Sequence, residues 1–347
     1  MAILLIVYWL KKTCHHLARF QQINWLKFKN GSTKGLQTIN ANLMRNLLLA
    51  SILVVFSSLT AFAQDDLMGM LQDAGPQKPT PVFATFKAPR VITGQSVEHT
   101  AARHLNFVIL HRFGEMNGGA YTLFGIDQAN IRLAFDYGLT DRIQLGLARS
   151  SVGKTYDGSL KIKLLAQSKG KKSMPITLGY YGNVGVNTET WANPNRNNYF
   201  TSRLSFFNQI NIARKFNDWV SLQVSPTLVH YNLVGPKSYD NMMFALGLSG
   251  SIKLSRSVRF NFETYPRLTA QDQLSRTGDK LYNYLALGFD IETGGHVFQL
   301  MLSNGNGMLE QQMVRETRTQ WADGGIRLGF NVSRTFSFDK KDKSKKW

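Results

Sequence analysis

From about Leu105 onward the chain is a succession of short segments in which apolar and polar residues alternate. Alternation with period two predicts strands with unlike faces, because successive side chains of a strand point to opposite sides. Ile131, Leu133, Phe135 and Tyr137 share one face of such a segment, and Asn130, Arg132, Ala134 and Asp136 share the other. The next segment sets Ile143, Leu145 and Leu147 against Arg142, Gln144, Gly146 and Ala148. The last sets Ile326, Leu328, Phe330 and Val332 against Arg327, Gly329, Asn331 and Ser333. Twelve strands are predicted, over 102–113, 128–138, 142–151, 158–168, 175–187, 201–214, 219–230, 242–254, 257–267, 281–292, 296–304 and 322–338.

Short turns such as Gly138-Leu139-Thr140-Asp141 and Lys215-Phe216-Asn217-Asp218 alternate with mostly longer connections such as Thr188 to Phe200 and Gly305 to Trp321. That rhythm is the signature of periplasmic turns and outer loops in an outer-membrane barrel. A soluble β-sandwich alternates too. The number of strands in one unbroken series, their aromatic ends and the final Phe336-Ser337-Phe338 favour the membrane reading. The expected fold is therefore all-β: a transmembrane antiparallel up-and-down β-barrel of about 12 strands. Such a barrel lies between small side-chain-filled barrels and the wide porins, so its lumen should be narrow or partly occluded. Tyr137, Tyr180, Phe216, Trp219, Phe336 and Phe338 are candidates for the aromatic girdles. Arg334 falls on the lipid-facing parity, where an arginine near the edge snorkels to headgroups.

The N-terminal region reads as an export signal. Met44-Arg45 opens a basic stretch, Leu47 to Leu59 is apolar, and Ala61-Phe62-Ala63 supplies small residues for cleavage before Gln64. Residues 1–43 are read as a non-native over-long start or a discarded leader, 44–63 as a signal peptide and 64–99 as a Pro-rich periplasmic lead-in. In that lead-in, Asp65 to Gln72 is compatible with one or two helical turns. Pro76, Pro79, Pro81 and Pro89 break regular structure beyond it, and the segment reads either as tucked into the barrel mouth or as a flexible terminus. Residues 100–338 form the barrel and 339–347 a basic periplasmic tail. The expected address is the outer membrane of a Gram-negative bacterium.

Composition narrows the chemistry. The first 63 residues hold seven of the 41 basic groups and none of the 22 acidic ones, which leaves 34 against 22, a net +12, in the remainder. The single cysteine, Cys14, lies in the leader beside His15 and His16, so neither disulfide nor thiol chemistry is expected in the exported part. The basic clusters are the leader and the tail from Lys340 to Lys346, which favour acidic lipid over nucleic acid.

Strand parity assigns nine basic groups to the lumen: Arg112, Arg132, Arg142, Lys161, Lys163, Arg203, Lys253, Arg259 and Arg327. Four acidic groups share that face, Asp136, Glu263, Asp290 and Glu292, so a net-positive wall is expected. Pairing of Arg132 with Asp136, and of Arg259 with Glu263, through neighbouring strands is one consequence. No nucleophile, phosphate-loop or metal-ligand motif is present, and His99, His104, His111, His230 and His296 are scattered. No catalytic residue, metal or cofactor is assigned.

Arg103-His104-Leu105-Asn106-Phe107, His111-Arg112-Phe113-Gly114, Leu123-Phe124-Gly125, Ala129-Asn130-Ile131-Arg132 and Asp136-Tyr137-Gly138-Leu139-Thr140-Asp141-Arg142 together resemble a family of outer-membrane β-barrels known only as a domain of unknown function. The resemblance implies barrel and membrane and brings no activity or site residue. The reading that follows is a narrow channel or small-solute transporter. Outer-membrane lipid and the barrel-assembly machinery, which would engage the strand ending at Phe338, are the expected partners, and a small anionic solute is the candidate cargo. An enzyme at the barrel rim and a scaffold for a periplasmic partner are the alternatives.

Overall fold

The computed structural model describes residues 79–170, 173–191, 193–234, 240–268 and 280–338. The leader, the export signal, the first part of the lead-in, including Asp65 to Gln72, and the basic tail lie outside the described residues. Among the described residues twelve antiparallel strands close on themselves. They are β1 (His104–Glu115), β2 (Ala129–Gly138), β3 (Ile143–Ser150), β4 (Tyr156–Leu165), β5 (Thr177–Val186) and β6 (Leu204–Lys215). The circuit continues through β7 (Val220–Tyr231), β8 (Met242–Lys253), β9 (Val258–Tyr265), β10 (Tyr284–Thr293), β11 (His296–Ser303) and β12 (Arg327–Ser337). Every strand pairs with its sequence neighbours, and β12 pairs with β1 to close the ring. Closure leaves no edge with unpaired backbone, the condition for a sheet to stand in hydrocarbon.

All twelve segments expected from alternation are strands, and the differences lie at their ends. The last strand starts at Arg327 rather than 322 because Trp321–Asp323 is a single 3₁₀ turn stopped by left-handed Gly324 (φ 71°). The sixth starts at Leu204 because Phe200–Arg203 is another such turn. The fourth starts two residues early, at Tyr156, which brings Asp157 into the wall.

The parity holds. In β3 Gln144 is 2 % exposed and Leu147 is 70 % exposed. Arg132, Ala134 and Asp136 are buried in β2 while Ile131, Leu133 and Phe135 face out. Phe216, Trp219, Phe336 and Phe338 are exposed near the short-turn end, and Arg334 stacks over Phe336 at 5.2 Å. Histidines on the outer face sit against aromatic rings: His111 stacks on Phe330 and His296 on Phe298.

Two segments fill the lumen. Residues 82–100 enter at the short-turn end as a tight hairpin, Arg90 bridging Gln95 across it, with Val91 N–H bonded to Gly94 O at 2.8 Å. The chain returns through Thr100, whose N–H meets Gln144 Oε1 at 2.8 Å. It then passes over the β2–β3 turn, where Arg103 N–H bonds Gly138 O. Gly138 is required there, because a Cβ would collide with the carbonyls of Thr100 and Ala101. From the long-loop end the connection between β11 and β12 folds inward and carries the six-residue helix α1 (Glu310–Arg315). This corrects the expectation of an outward loop from Gly305 to Trp321: Gly305, Met308, Leu309, Met313 and Val314 are buried. The core therefore lies inside the barrel. Phe86, Val91, Ile92 and Val97 of the hairpin pack with Met313 and Val314 of α1 and with Tyr181, Phe207, Tyr265 and Tyr284 of the wall.

Candidate functional site in the lumen

The hairpin has no strand partner inside the barrel, so its backbone groups must be met by side chains of the wall. Glu263 of β9 accepts from the N–H of Thr93 at 2.7 Å, of Ile92 at 3.2 Å and of Gly94 at 3.1 Å. Lys161 donates to Pro89 O at 2.8 Å, Gln223 to Gln95 O at 2.7 Å, Gln299 to Val91 O at 3.0 Å and Asn331 to Ile92 O at 2.8 Å. Gly94 lies against Glu263 and Tyr265 with no room for a Cβ. A carboxylate over three convergent N–H groups is a charge-assisted cap, stronger than neutral bonds of the same length.

The hairpin and α1 meet at mid-lumen. Glu310 Oε1 accepts from Arg90 Nη1 at 2.5 Å and from Gln95 Nε2 at 2.7 Å. Arg90 also donates to Thr93 O at 3.2 Å. This latch joins a segment entering from one end to a segment entering from the other. Beside it Arg132 holds Asp157 through Nη2 at 2.6 Å and Nε at 3.2 Å, and Asn183 donates to the same carboxylate. Arg112 donates to Asn331 Oδ1 at 2.9 Å and to Thr93 Oγ1 at 3.0 Å.

These partners correct the pairs read from the sequence. Arg132 pairs with Asp157 of β4 rather than with Asp136 of its own strand. Glu263 caps the hairpin instead of meeting Arg259, whose Nη1 reaches Thr85 O at 3.3 Å. Residues i and i+4 on one strand are about 13 Å apart, whereas β4 lies two strands from β2, about 10 Å away at about 4.8 Å per step. Asp290 lies across from Arg259 in register and accepts from Gln299 at 2.8 Å.

The charge tally changes as well. The buried charged groups among the described residues are Arg90, Arg112, Arg132, Lys161 and Arg259 against Asp136, Asp157, Glu263, Asp290 and Glu310, five of each sign. The buried set is thus balanced in sign, while Lys163, Arg203, Lys253 and Arg327 of the expected positive face are only half-buried. Arg142 is exposed in the turn before β3. Arg203 sits at the long-loop mouth with its guanidinium 4.1 Å above the Trp191 ring. Lys163 and Lys253 are half-buried near the short-turn rim, and exposed Glu292 pairs with Lys87. Arg327 is half-buried and pairs with Glu115 at 2.6 Å, beside the one-residue irregularity between β12 and β1.

Sequence reasoning missed Asp157, Glu310 and Arg90. Asp157 falls one residue outside the strand expected over 158–168. Glu310 lies in Met308-Leu309-Glu310-Gln311-Gln312-Met313-Val314, and that apolar content in a nominally outer loop is the signal that would have marked burial. Val91-Ile92 inside the Pro-rich stretch is the corresponding signal for the hairpin.

One side of the lumen retains hydrogen-bonding capacity. Asn211 Nδ2, Ser221 Oγ, Gln223 Oε1, Ser251 Oγ and Asn261 Oδ1 lie on the four adjacent strands β6 to β9. Each is buried and without a protein partner among the described residues. Toward the long-loop end the series continues with Gln209 Oε1 of β6 and Gln312 Oε1 of α1. Above α1 a cavity of about 340 Å³ opens among Asn187, Trp191, Arg203, Tyr231, Gln312 and Glu316.

Comparison with known proteins gives a family and no activity. A family model described as a membrane-bound β-barrel domain, DUF5777, matches residues 86–336. No curated protein sequence matches the chain. Among solved structures, the NanC porin is 7 % identical over 68 % of this chain and 100 % of its own, with a TM-score of 0.41. An outer-membrane channel of Pseudomonas putida F1 is 13 % identical over 69 % and 97 %, with a TM-score of 0.41. The outer-membrane phospholipase A of Escherichia coli is 13 % identical over 66 % and 92 %, with a TM-score of 0.37. Porins and an enzyme stand side by side at this level, so these similarities assign no activity.

Proposed function

The chain belongs to the DUF5777 family of membrane-bound β-barrel domains, and from that premise we propose that it is an outer-membrane conduit for small polar solutes, closed at rest. The observation that carries this reading is the Arg90–Glu310 latch, which closes a polar-walled lumen from both ends. The hairpin is anchored to the wall largely by side chains bonded to its backbone, contacts that water or a solute replaces more readily than a sheet ladder. The partner-poor polar stripe on β6 to β9 gives a path along the plug once the latch parts.

In this reading the short turns and the hairpin face the periplasm, behind an export signal cleaved after Ala63, and the strand ending near Phe338 is the one offered to the barrel-assembly machinery. Balanced buried charge removes the reason to expect an anion-selective wall, since selectivity of that kind needs rings of one sign. Uncharged polar solutes suit the pathway better than the anionic cargo suggested by parity alone.

Liposome swelling with the purified, reconstituted full chain tests the proposal. Native protein should admit uncharged polyols slowly, and Glu310→Ala should admit them several-fold faster. Equal rates for the two, both at the level of protein-free liposomes, would sink the conduit reading. A reversal potential displaced strongly toward chloride in a KCl gradient would restore the net-positive lumen.

A further inference from the structure

The cavity at the long-loop end is a built site, and we infer that it binds an uncharged saccharide of one or two units. Its volume of about 340 Å³ falls at the lower end of the range for small-molecule sites, roughly 300–1,000 Å³. Its floor is α1, from which Gln312 lines the cavity.

The remaining lining points to the same class. Asn187, Asn193, Asn197 and Asn198 line the cavity, and an amide both donates and accepts, as a sugar hydroxyl does; the oxygens of Asn187 and Asn193 already accept from the N–H of Glu189 and Asn195. Charges around the cavity cancel, Arg196 and Arg203 against Glu189 and Glu316, so nothing selects an ion. Two aromatic rings, Trp191 and Tyr231, line the space, and each is stacked by a guanidinium. Arg203 lies over Trp191 at 4.1 Å and is itself fixed by the carbonyl oxygens of Asn187 and Glu189 at 2.8 and 2.6 Å. Arg315 lies over Tyr231 at 5.0 Å, and the Tyr231 hydroxyl donates to Glu316 at 2.8 Å. Rigid rings beside hydroxyl-matched amides give the apolar C–H face of a pyranose a surface and its hydroxyls partners.

The inference deepens the proposed conduit by naming its solute class, and it rests on that reading only for where the ligand goes next. Binding is therefore measured apart from passage. Full-length protein in detergent, freed of lipopolysaccharide, is titrated with maltose and with galacturonate, read by Trp fluorescence and saturation-transfer NMR. Maltose should bind with millimolar affinity and galacturonate at least tenfold more weakly. Gln312→Leu and Trp191→Phe should each weaken maltose binding about tenfold, while Arg256→Ala, exposed in the β8–β9 turn, should leave it unchanged. Trp191→Phe keeps a ring and guards against loss of the fold. Absence of maltose binding to folded native protein, binding indifferent to both cavity variants, or preference for galacturonate would each overturn the inference. Displacement of maltose by micromolar lipopolysaccharide would overturn the soluble-ligand assignment and give the site to a membrane glycan. Maltose binding with native and Glu310→Ala swelling both at the level of protein-free liposomes would reject the conduit while leaving the site intact.

Discussion

Removing the Glu310 carboxylate should unlatch the lumen. Arg90 and Glu310 are 4 % and 0 % exposed, 2.5 Å apart, and Glu310 also holds Gln95. Breaking a buried pair by deleting one partner costs about 3–5 kcal/mol, because the other charge is left unpaired in a poor solvent. Arg90 keeps one bond, to Thr93 O, which places the expected cost near the lower figure. At about 1.4 kcal/mol per decade, 3 kcal/mol is roughly a hundredfold shift in the ratio of inserted to released hairpin. In planar bilayers Glu310→Ala should therefore show frequent openings where the native protein is mostly silent. Arg90→Met should behave alike. The double variant Arg90→Met/Glu310→Met buries no lone charge and should return toward silence, since replacing a whole buried pair by apolar groups is often neutral. The reasoning fails if the single and double variants record the same open probability and melt at the native temperature, because no coupling would then exist across the latch.

Other consequences are as direct. Asp157→Ala should lower unfolding stability by about 3–5 kcal/mol by stranding Arg132, read by the heat-induced gel shift of the barrel, and an unchanged shift would refute the pairing. Gly94→Val forces the hairpin tip off Glu263 and Tyr265 at about 1–3 kcal/mol, and protease should cut near Lys87 faster than in the native protein. Burial, together with Lys161 and Lys163, pushes His99 on the returning arm of the hairpin down to about 3. The neutral form is therefore favoured in the folded state. Its contribution is complete above about 6.5 and is lost as pH falls from there toward 3, so His99→Gln should lessen acid destabilisation, measured by melting at pH 7 and pH 4. Cysteines at Asn195, in an exposed long loop, and at Thr140, in an exposed short turn, should report sidedness: intact cells should label the first and spare the second, and the reverse would invert the barrel.

The barrel was legible in the sequence because lipid imposes a strict rule on every second residue. Ile131, Leu133 and Phe135 can only face hydrocarbon, and their neighbours Arg132, Ala134 and Asp136 can only face in, so strand number and side-chain parity were written residue by residue. What the sequence could not carry was the third dimension of the lumen. Alternation says that Arg132 and Glu263 point inward, yet it is silent on which strand or inserted segment meets them. Arg132 finds Asp157 one strand beyond its neighbour, and Glu263 finds three backbone N–H groups of a hairpin about 170 residues away. Neither the hairpin nor α1 has strand periodicity, because neither faces lipid, and both read as loops. The balance of buried charge, the latch and the cavity above α1 arise only when the ring closes and its interior must be filled and neutralised. One-dimensional periodicity reflects the solvent outside the barrel, and only tertiary closure decides the chemistry within it.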